Sequence, residues 1–350
     1  MIKQKLRRVS VFLFKSIAFL SLLWPFNVLA DELPAAPGRL ITVGTHKLHI
    51  YCVGTGSPTV ILEAGLGGSA LEWTTVQTEL SRSFRVCSYD RAGMGWSDAG
   101  PLPRSALQIT DELHSLLQNA EEAGPFVLAG HSFGGYSAQL FASRFPQLSV
   151  GLVLIDSSHP AQIERFAAPP VGVNIAPKGR LMHLIPVQIA DNMPAELRDT
   201  AAALITDYKS RLAVTKELQS FRLSAHQLMQ HETLPAVPLL VLTRGVQKWP
   251  DNARGNRMEN LWQQLQSELA QRTDNAAQII ARRSGHHIHL DQPELVSEAI
   301  RLVATAARQQ SKPASRVWLA QGLHSAATRF GERVKVEYTT VGQPMLAMHR

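Results

Sequence analysis

Short apolar runs alternate with stretches of helical periodicity along the first half of the chain. Apolar residues at helical spacing predict helices over Leu71–Leu80, Ser105–Ala123 and Phe133–Phe145. Between them, the strand-like runs are Arg39–Val43 and Lys47–Val53 around a Gly44-Thr45 turn, Thr59–Glu63, Phe84–Tyr89, Phe126–Ala129 and Val150–Ile155. Apolar strands separated by helices predict a largely parallel sheet that is covered on both faces.

The alternation is interrupted once and then resumes. Residues 157–235 contain proline pairs and helical patches without a strand pattern, which predicts a helical insertion that forms a lid. The pattern returns in the strands Pro238–Thr243 and Ala277–Ala281 and the helices Asn256–Gln271 and Pro293–Ala307. We therefore expect one domain over residues 39–310. Residues 311–350 form a C-terminal extension, interpreted either as an added helix and strand or as a loosely held tail.

The amino terminus has the pattern of an export signal. Basic residues from Lys3 to Arg8 precede an apolar stretch, Val9–Phe26, and Val28-Leu29-Ala30 forms a cleavage motif before Asp31. The apolar stretch is close to the ~18–20 residues that span a bilayer, so an uncleaved membrane anchor is the alternative. Either interpretation of residues 1–30 predicts an exported protein, periplasmic or secreted, that contacts a membrane only if this segment is retained.

Composition changes little else in this picture. The net charge of the 350 residues is +7, but residues 1–30 contribute five basic residues and no acidic one. Without that segment 35 − 5 = 30 basic residues face 28 acidic ones, a difference of +2, which argues against a nucleic-acid partner. The two cysteines, Cys52 and Cys87, lie on predicted neighbouring strands. They form either a disulfide, as an exported chain permits, or a pair of small buried thiols.

The segment Gly130-His131-Ser132-Phe133-Gly134 matches the G-x-S-x-G pattern of a nucleophile elbow. It follows a predicted strand and opens a predicted helix, and the small residues that flank the serine permit a tight turn. The turn exposes the hydroxyl and aims a helix N-terminus at developing negative charge. We therefore predict Ser132 as a nucleophile, against the alternative of a capping serine in a glycine-rich turn.

A serine hydroxyl needs a base, and the base needs an acid that orients it. His286 follows Gly285 in a late loop after the last predicted strand and is the predicted base, with His287 as the second choice. Asp156, at the end of the strand Val150–Ile155, is the favoured acid, and Asp251 after the next strand is the alternative. His286 and His289 have a His-x-x-His spacing but lack a matching carboxylate or thiol set, so we predict no metal.

Two backbone N–H groups are needed to bind the negative charge of a tetrahedral intermediate. Phe133 follows the nucleophile and supplies one. The glycine-rich loop Ala64-Gly65-Leu66-Gly67-Gly68 is expected to supply the other from Leu66. The chain contains neither a phosphate-binding loop nor a nucleotide fingerprint, so we predict no cofactor.

Taken in this order, the motifs resemble those of the α/β-hydrolase superfamily over residues 40–310. The resemblance is carried by the stretch from Tyr89 to Asp98 (YDRAGMGWSD), by the elbow, by Leu154–Pro160 (LIDSSHP), and by Gly285-His286 followed by Asp291–Glu294 (DQPE). It implies an α/β-hydrolase fold: a mostly parallel eight-stranded sheet with helices on both faces and a helical lid. It also implies that Asp90 and Arg91 brace their loop. Many relatives have His-Gly where this chain has Ala64-Gly65, which affects the shape of the pocket more than the backbone donor.

The expected activity is a serine hydrolase of the carboxylesterase or lipase type that cleaves an ester, thioester or amide. Its expected partner is a small-molecule or lipid-like ester. A carbon–carbon bond hydrolase or an acyltransferase would use the same serine and histidine, so fold and motifs do not distinguish them. A non-catalytic binding protein on this fold is a further alternative. The retained Ser132 and His286 argue against it.

Overall fold

The computed structural model describes residues 34–167, 192–231, 233–308 and part of 322–335. The predicted export signal, the middle of the predicted lid and most of the C-terminal extension lie outside the described residues.

The described residues contain one nine-stranded sheet, with the strand order β1-β2-β4-β3-β5-β6-β7-β8-β9. Neighbouring strands are parallel from β4 through β8 and antiparallel at β1–β2, β2–β4 and β8–β9. The strands are β1 (Arg39–Val43), β2 (His46–Val53), β3 (Thr59–Glu63), β4 (Val86–Tyr89), β5 (Phe126–His131), β6 (Ser149–Ile155), β7 (Leu239–Arg244), β8 (Ala276–Ala281) and β9 (Arg333–Lys335). The first eight match the predicted strands, and β9 is contributed by the extension.

Two strand boundaries differ from the prediction for local reasons. β4 begins at Val86 rather than Phe84, because the N–H of Phe84 still bonds to the carbonyl of Leu80 in the preceding helical turn. β5 continues to His131, which pairs with Ile155 of β6. The strand therefore runs up to the residue before Ser132.

Helices cover both faces of the sheet. They are α1 (Thr74–Leu80), α2 (Ala106–Asn119), α3 (Gly134–Arg144), α4 (Gln162–Ala167), α5 (Arg198–Thr206), α6 (Tyr208–Gln219), α7 (Phe221–Gln230), α8 (Ala253–Leu269), α9 (Ile288–Asp291) and α10 (Pro293–Arg308). Alternate residues of β3 face opposite cores: Val60 and Leu62 pack with α1 and α10, whereas Ile61 packs with α2 and α3. This two-residue period is why the central strands are apolar throughout.

The described part of the predicted lid, residues 157–167, 192–231 and 233–235, contains helices and no strand. α7 packs on α2 and α3, and the Ser224 hydroxyl accepts a hydrogen bond from the N–H of Ala106 at 2.9 Å. None of the helices in the described ranges is both long and apolar enough to cross a membrane.

Cys52 and Cys87 form a disulfide. They lie directly opposite each other on the antiparallel strands β2 and β4, with their Cα atoms 4.0 Å apart. Of the two interpretations of these cysteines, the structure has the disulfide.

Candidate active site

Ser132 lies in the sharp turn between β5 and α3. Its φ angle is +50°, in the left-handed region that non-glycine residues rarely occupy. A Cβ atom at Gly130 would lie 2.7 Å from the carbonyl oxygen of Gly134, and one at Gly134 would lie 2.4 Å from that of Ala64. The two glycines of the motif are therefore needed for the close approach of backbone segments around the serine.

His286 joins Ser132 and Asp156 in one chain of hydrogen bonds. Its Nε2 lies 3.0 Å from Ser132 Oγ, and its Nδ1 lies 2.6 Å from Asp156 Oδ2. A carboxylate only accepts, so Nδ1 carries the ring proton and Nε2 is free to accept the proton of the serine. The structure thus brings together the predicted nucleophile, the predicted base and the favoured acid.

The carboxylate of Asp156 is buried, and it accepts hydrogen bonds from other residues in addition to His286. Arg244 donates to Oδ2 at 2.8 Å, and the indole N–H of Trp262 donates to Oδ1 at 2.8 Å. Burial alone would raise the pKa of Asp156. The charge of Arg244 and the hydrogen bonds from His286 and Trp262 outweigh that effect and lower the pKa of this carboxyl below its usual value. Asp156 is therefore ionised at neutral pH, as an acid that orients a histidine must be.

The alternative residues lie elsewhere. Asp251 is exposed in the loop before α8, where its carboxylate accepts a hydrogen bond from the Asn256 amide at 3.1 Å. His287 follows the base, and its ring contacts the rings of His131 and His286, whereas the hydrogen bond to Ser132 Oγ comes from His286. The hydrogen-bonded chain therefore contains Asp156 and His286, and it contains neither of the alternative residues, Asp251 and His287.

Both backbone groups predicted to bind an oxyanion have a free N–H. Among the residues described, neither Leu66 nor Phe133 donates its N–H to any acceptor. Phe133 lies at the start of α3, and Leu66 lies in the loop after β3. Two free donors beside the nucleophile are what an oxyanion needs.

Arg91 links the loop of Leu66 to helix α6. Its guanidinium donates to the carbonyl oxygens of Ala64 at 2.5 Å and Gly65 at 2.7 Å, and it forms a two-point ion pair with Glu217 of α6. The resemblance implied that Asp90 and Arg91 brace this region. The structure gives them separate partners, since Asp90 accepts from the N–H groups of Ala70 and Trp96.

Histidines cluster around the base. Burial, followed by the neighbouring histidines, lowers the pKa of His131 well below its usual range and that of His287 to about 4. Both side chains are consequently neutral at neutral pH.

A small, partly open cleft lies between the loop after β3 and the helices α5 and α6. Its lining combines apolar side chains with a few polar groups: Met94, Met193, Ala201, Leu204 and Ile205 with Ser69, Glu72 and Ser210. Gly67, next to Leu66, also borders it, whereas Ser132 and His286 do not. The cleft is therefore adjacent to the candidate site rather than identical with it.

Sequence reasoning missed Arg244 and Trp262. The only signal for Arg244 is a charged residue that ends the apolar strand β7, and for Trp262 a large aromatic residue on the buried face of α8. Neither signal predicts a contact with Asp156, because the contacts of Arg244 and Trp262 with Asp156 depend on how α8 packs across the end of the sheet.

Comparisons with known proteins agree with this fold. A model of the alpha/beta hydrolase family matches residues 60–299. The uncharacterized protein YqjL of Bacillus subtilis is 28% identical over 260 residues, which cover 74% of this chain and 88% of that protein. The putative carbamate hydrolase RutD of Pseudomonas syringae is 29% identical over 270 residues, covering 73% and 96%. A serine hydrolase involved in carbazole degradation superposes with a TM-score of 0.57 at 19% identity, over 77% of this chain and 99% of that one.

Proposed function

Because the chain belongs to the alpha/beta hydrolase family, we propose that it is a serine hydrolase that cleaves a carboxylic ester through an acyl-enzyme intermediate. The observation that carries this proposal is the hydrogen-bonded chain from Ser132 through His286 to Asp156. Thioesters and amides are cleaved by the same chemistry and remain within the proposed class.

In the proposed reaction, His286 Nε2 takes the proton of Ser132 as Oγ attacks the carbonyl carbon of the substrate. The charge that develops on the carbonyl oxygen is stabilised by the N–H groups of Leu66 and Phe133. The imidazolium, stabilised by ionised Asp156, then protonates the leaving alcohol as the carbon–oxygen bond breaks. His286 then takes a proton from water as the water oxygen attacks the acyl carbon. The imidazolium returns this proton to Oγ as the bond between the acyl carbon and Oγ breaks, which releases the acid and free Ser132.

The lining of the adjoining cleft is compatible with a substrate that has an apolar acyl part, although the cleft must widen to admit one. Met94, Met193 and Leu204 contribute apolar walls to it, and apolar pockets with few polar groups suit such ligands. The names of the relatives extend the range of bonds to test, because one of them is a putative carbamate hydrolase.

A fluorophosphonate probe tests the activated serine directly. We expect the probe to label the folded protein on Ser132, as mapped by peptide mass spectrometry, and Ser132→Ala to lose both labelling and turnover of an ester panel. His286→Ala should lose labelling while Ser132 is intact, because the unassisted hydroxyl is a weak nucleophile. Folded protein that neither reacts with the probe nor turns over any ester would refute the proposal in favour of a binding protein.

We also propose that the protein functions outside the cytoplasm. The disulfide between Cys52 and Cys87 supports this location, because disulfides persist in oxidising compartments. We expect cell fractionation and N-terminal sequencing to find a mature chain that starts at Asp31. A chain that starts at Met1 in the membrane fraction would indicate an anchor, and one in the cytoplasm would contradict export.

A further inference from the structure

Three side chains that the proposed reaction does not use meet beside the nucleophile. Glu72 lies in the 3₁₀ turn before α1, His131 ends β5, and His289 lies in α9. One ligand atom from each lies within 4.8 Å of the other two, and His289 Nε2 is 3.6 Å from Glu72 Oε2. The structure thus gives His289 partners other than His286, with which the sequence spacing had paired it.

Both histidines of this cluster are buried and have ring nitrogens that lack a hydrogen-bond partner among the described residues. His131 is 2% exposed and His289 is fully buried. Within the described residues, His131 Nδ1 and both ring nitrogens of His289 make no hydrogen bond. A buried polar atom left unpaired costs about 1–3 kcal/mol, so such atoms are normally satisfied. One such nitrogen from each ring belongs to the cluster, which indicates that the space between them binds something.

The tautomer of His131 favours a ligand that accepts a lone pair from Nδ1, such as a metal ion. Its Nε2 lies 2.9 Å from the backbone carbonyl oxygen of His286. A carbonyl only accepts, so Nε2 carries the proton and Nδ1 points into the cluster with a lone pair. A metal-binding histidine has this arrangement, with the N–H that faces away from the metal anchored to a carbonyl or carboxylate. His289 is held in place by stacking on Trp73, with ring centroids 4.5 Å apart.

We propose that Glu72, His131 and His289 bind a zinc ion. Two imidazole nitrogens and one carboxylate oxygen are a ligand set typical of Zn²⁺, with solvent as the fourth ligand. Glu72 also borders the cleft, which gives the ion a route in and leaves room for that solvent ligand.

The bound ion connects segments that carry the candidate triad. His131 directly precedes Ser132, and His289 lies three residues after His286 in the same loop and helix. Zinc therefore fixes the loop of the base against β5 and takes no part in the bond-breaking steps. The site does not depend on the proposed hydrolase activity.

Zinc binding to the purified, chelator-treated full-length protein tests the proposal. Calorimetry should find one equivalent of Zn²⁺, and the thermal midpoint should rise with Zn²⁺ but not with Mg²⁺. Glu72→Gln and His289→Leu should each weaken the affinity at least tenfold, in line with the loss of a ligand. Glu72 is partly exposed, so its variant is expected to fold even if His289→Leu does not.

His287→Gln is the matched control, because His287 belongs to the same histidine-rich loop but not to the ligand set. It should bind Zn²⁺ with the affinity of the parent. Loss of binding in His287→Gln equal to that in Glu72→Gln would overturn the assignment of ligands. The absence of a stoichiometric site in the parent would overturn the proposal and leave a buried water as the partner of the two histidines.

Discussion

Ser132 and Asp156 share an uncommon backbone conformation. Their φ angles are +50° and +40°, both in the left-handed region. Residues held there cost on the order of 1–3 kcal/mol each and persist only where surrounding contacts enforce them. Those contacts lie between neighbouring strand ends: the N–H of Ser132 bonds to the carbonyl of Ile155, and that of Asp156 to the carbonyl of Leu242. The edge of the sheet therefore sets the positions of both side chains.

Exchange of the two candidate acids for their amides separates their roles. Asp156→Asn should lower kcat about 10⁴-fold, because an amide no longer selects the required tautomer of His286. Asp251→Asn should stay within about twofold of the parent, because Asp251 is exposed and bonded only to Asn256 among the described residues. Steady-state kinetics on one activated ester would measure both.

Thermal melts of the same two proteins control for misfolding, since Asp156→Asn leaves Arg244 with Glu259 as its remaining acidic partner. If Asp156→Asn retains turnover while its melt is unchanged, Asp156 is not the acid.

The sequence identifies Ser132 and His286 because each stands in a short motif of fixed local geometry. It ranks Asp156 above Asp251 only weakly, since both follow strands of the same sheet edge. The choice depends on which carboxylate is enclosed. Arg244 and Trp262 enclose Asp156, and they approach it from segments distant in sequence.

At the scale of elements, Arg91 binds the loop after β3 to helix α6. We expect Arg91→Lys to lower kcat by up to about 10²-fold, comparable to the loss of one oxyanion donor. A single ammonium cannot reproduce the planar contacts to two carbonyls and a carboxylate, so the N–H of Leu66 is left poorly oriented. The measurement is kcat and KM on an ester with a short acyl chain.

Glu217→Gln is the comparison that separates the effect of the loop from that of helix α6. It keeps an acceptor for Arg91 and leaves the contacts to Ala64 and Gly65 in place. Its kcat should therefore fall much less than that of Arg91→Lys. Equal losses in the two variants would mean that the position of α6, rather than the loop, controls the rate.

The order of strands and helices is predictable because apolar periodicity is local. The pairing of β9 with β8 is not, because the alternation in Arg333-Val334-Lys335 is too short to indicate which strand it joins. It forms because β8 would otherwise be an open edge of the sheet. Likewise, the sequence places Cys52 and Cys87 on neighbouring strands but gives no register, whereas the ladder sets them opposite each other.

For the whole molecule, buried histidines predict instability in acid. Burial lowers the pKa of His159 to about 4, and His131 and His287 are shifted in the same direction. Between pH 6.5 and 4 the unfolded chain therefore binds more protons at these sites than the folded one, so the free energy of unfolding falls as the pH falls. Glu63 and His49 oppose this trend. Burial raises the pKa of Glu63 to about 7, and the hydrogen bond and charge of Asp90 raise the pKa of His49 despite its burial, so the folded state holds protons at both sites. The histidines with lowered pKa values outnumber these two groups, and we expect the net effect to follow them.

Urea denaturation at pH 7 and pH 5 measures this effect. His159→Gln should reduce the loss of stability between the two pH values by about 2 kcal/mol, the contribution of one histidine shifted to that extent. His226→Gln, at an exposed position of α7, should leave the loss unchanged. If His159→Gln shows the same loss as the parent, His159 does not have the depressed pKa that its burial implies.

Arg91 couples the position of helix α6 to that of the loop that carries Leu66. Its guanidinium serves the loop of Leu66 and the helix of Glu217 at once. A mutation that moves α6 is therefore expected to displace the proposed oxyanion donor as well. We expect variants selected for a wider substrate range through changes in α6 to turn over more slowly, and to regain speed only with a second substitution that re-anchors the loop.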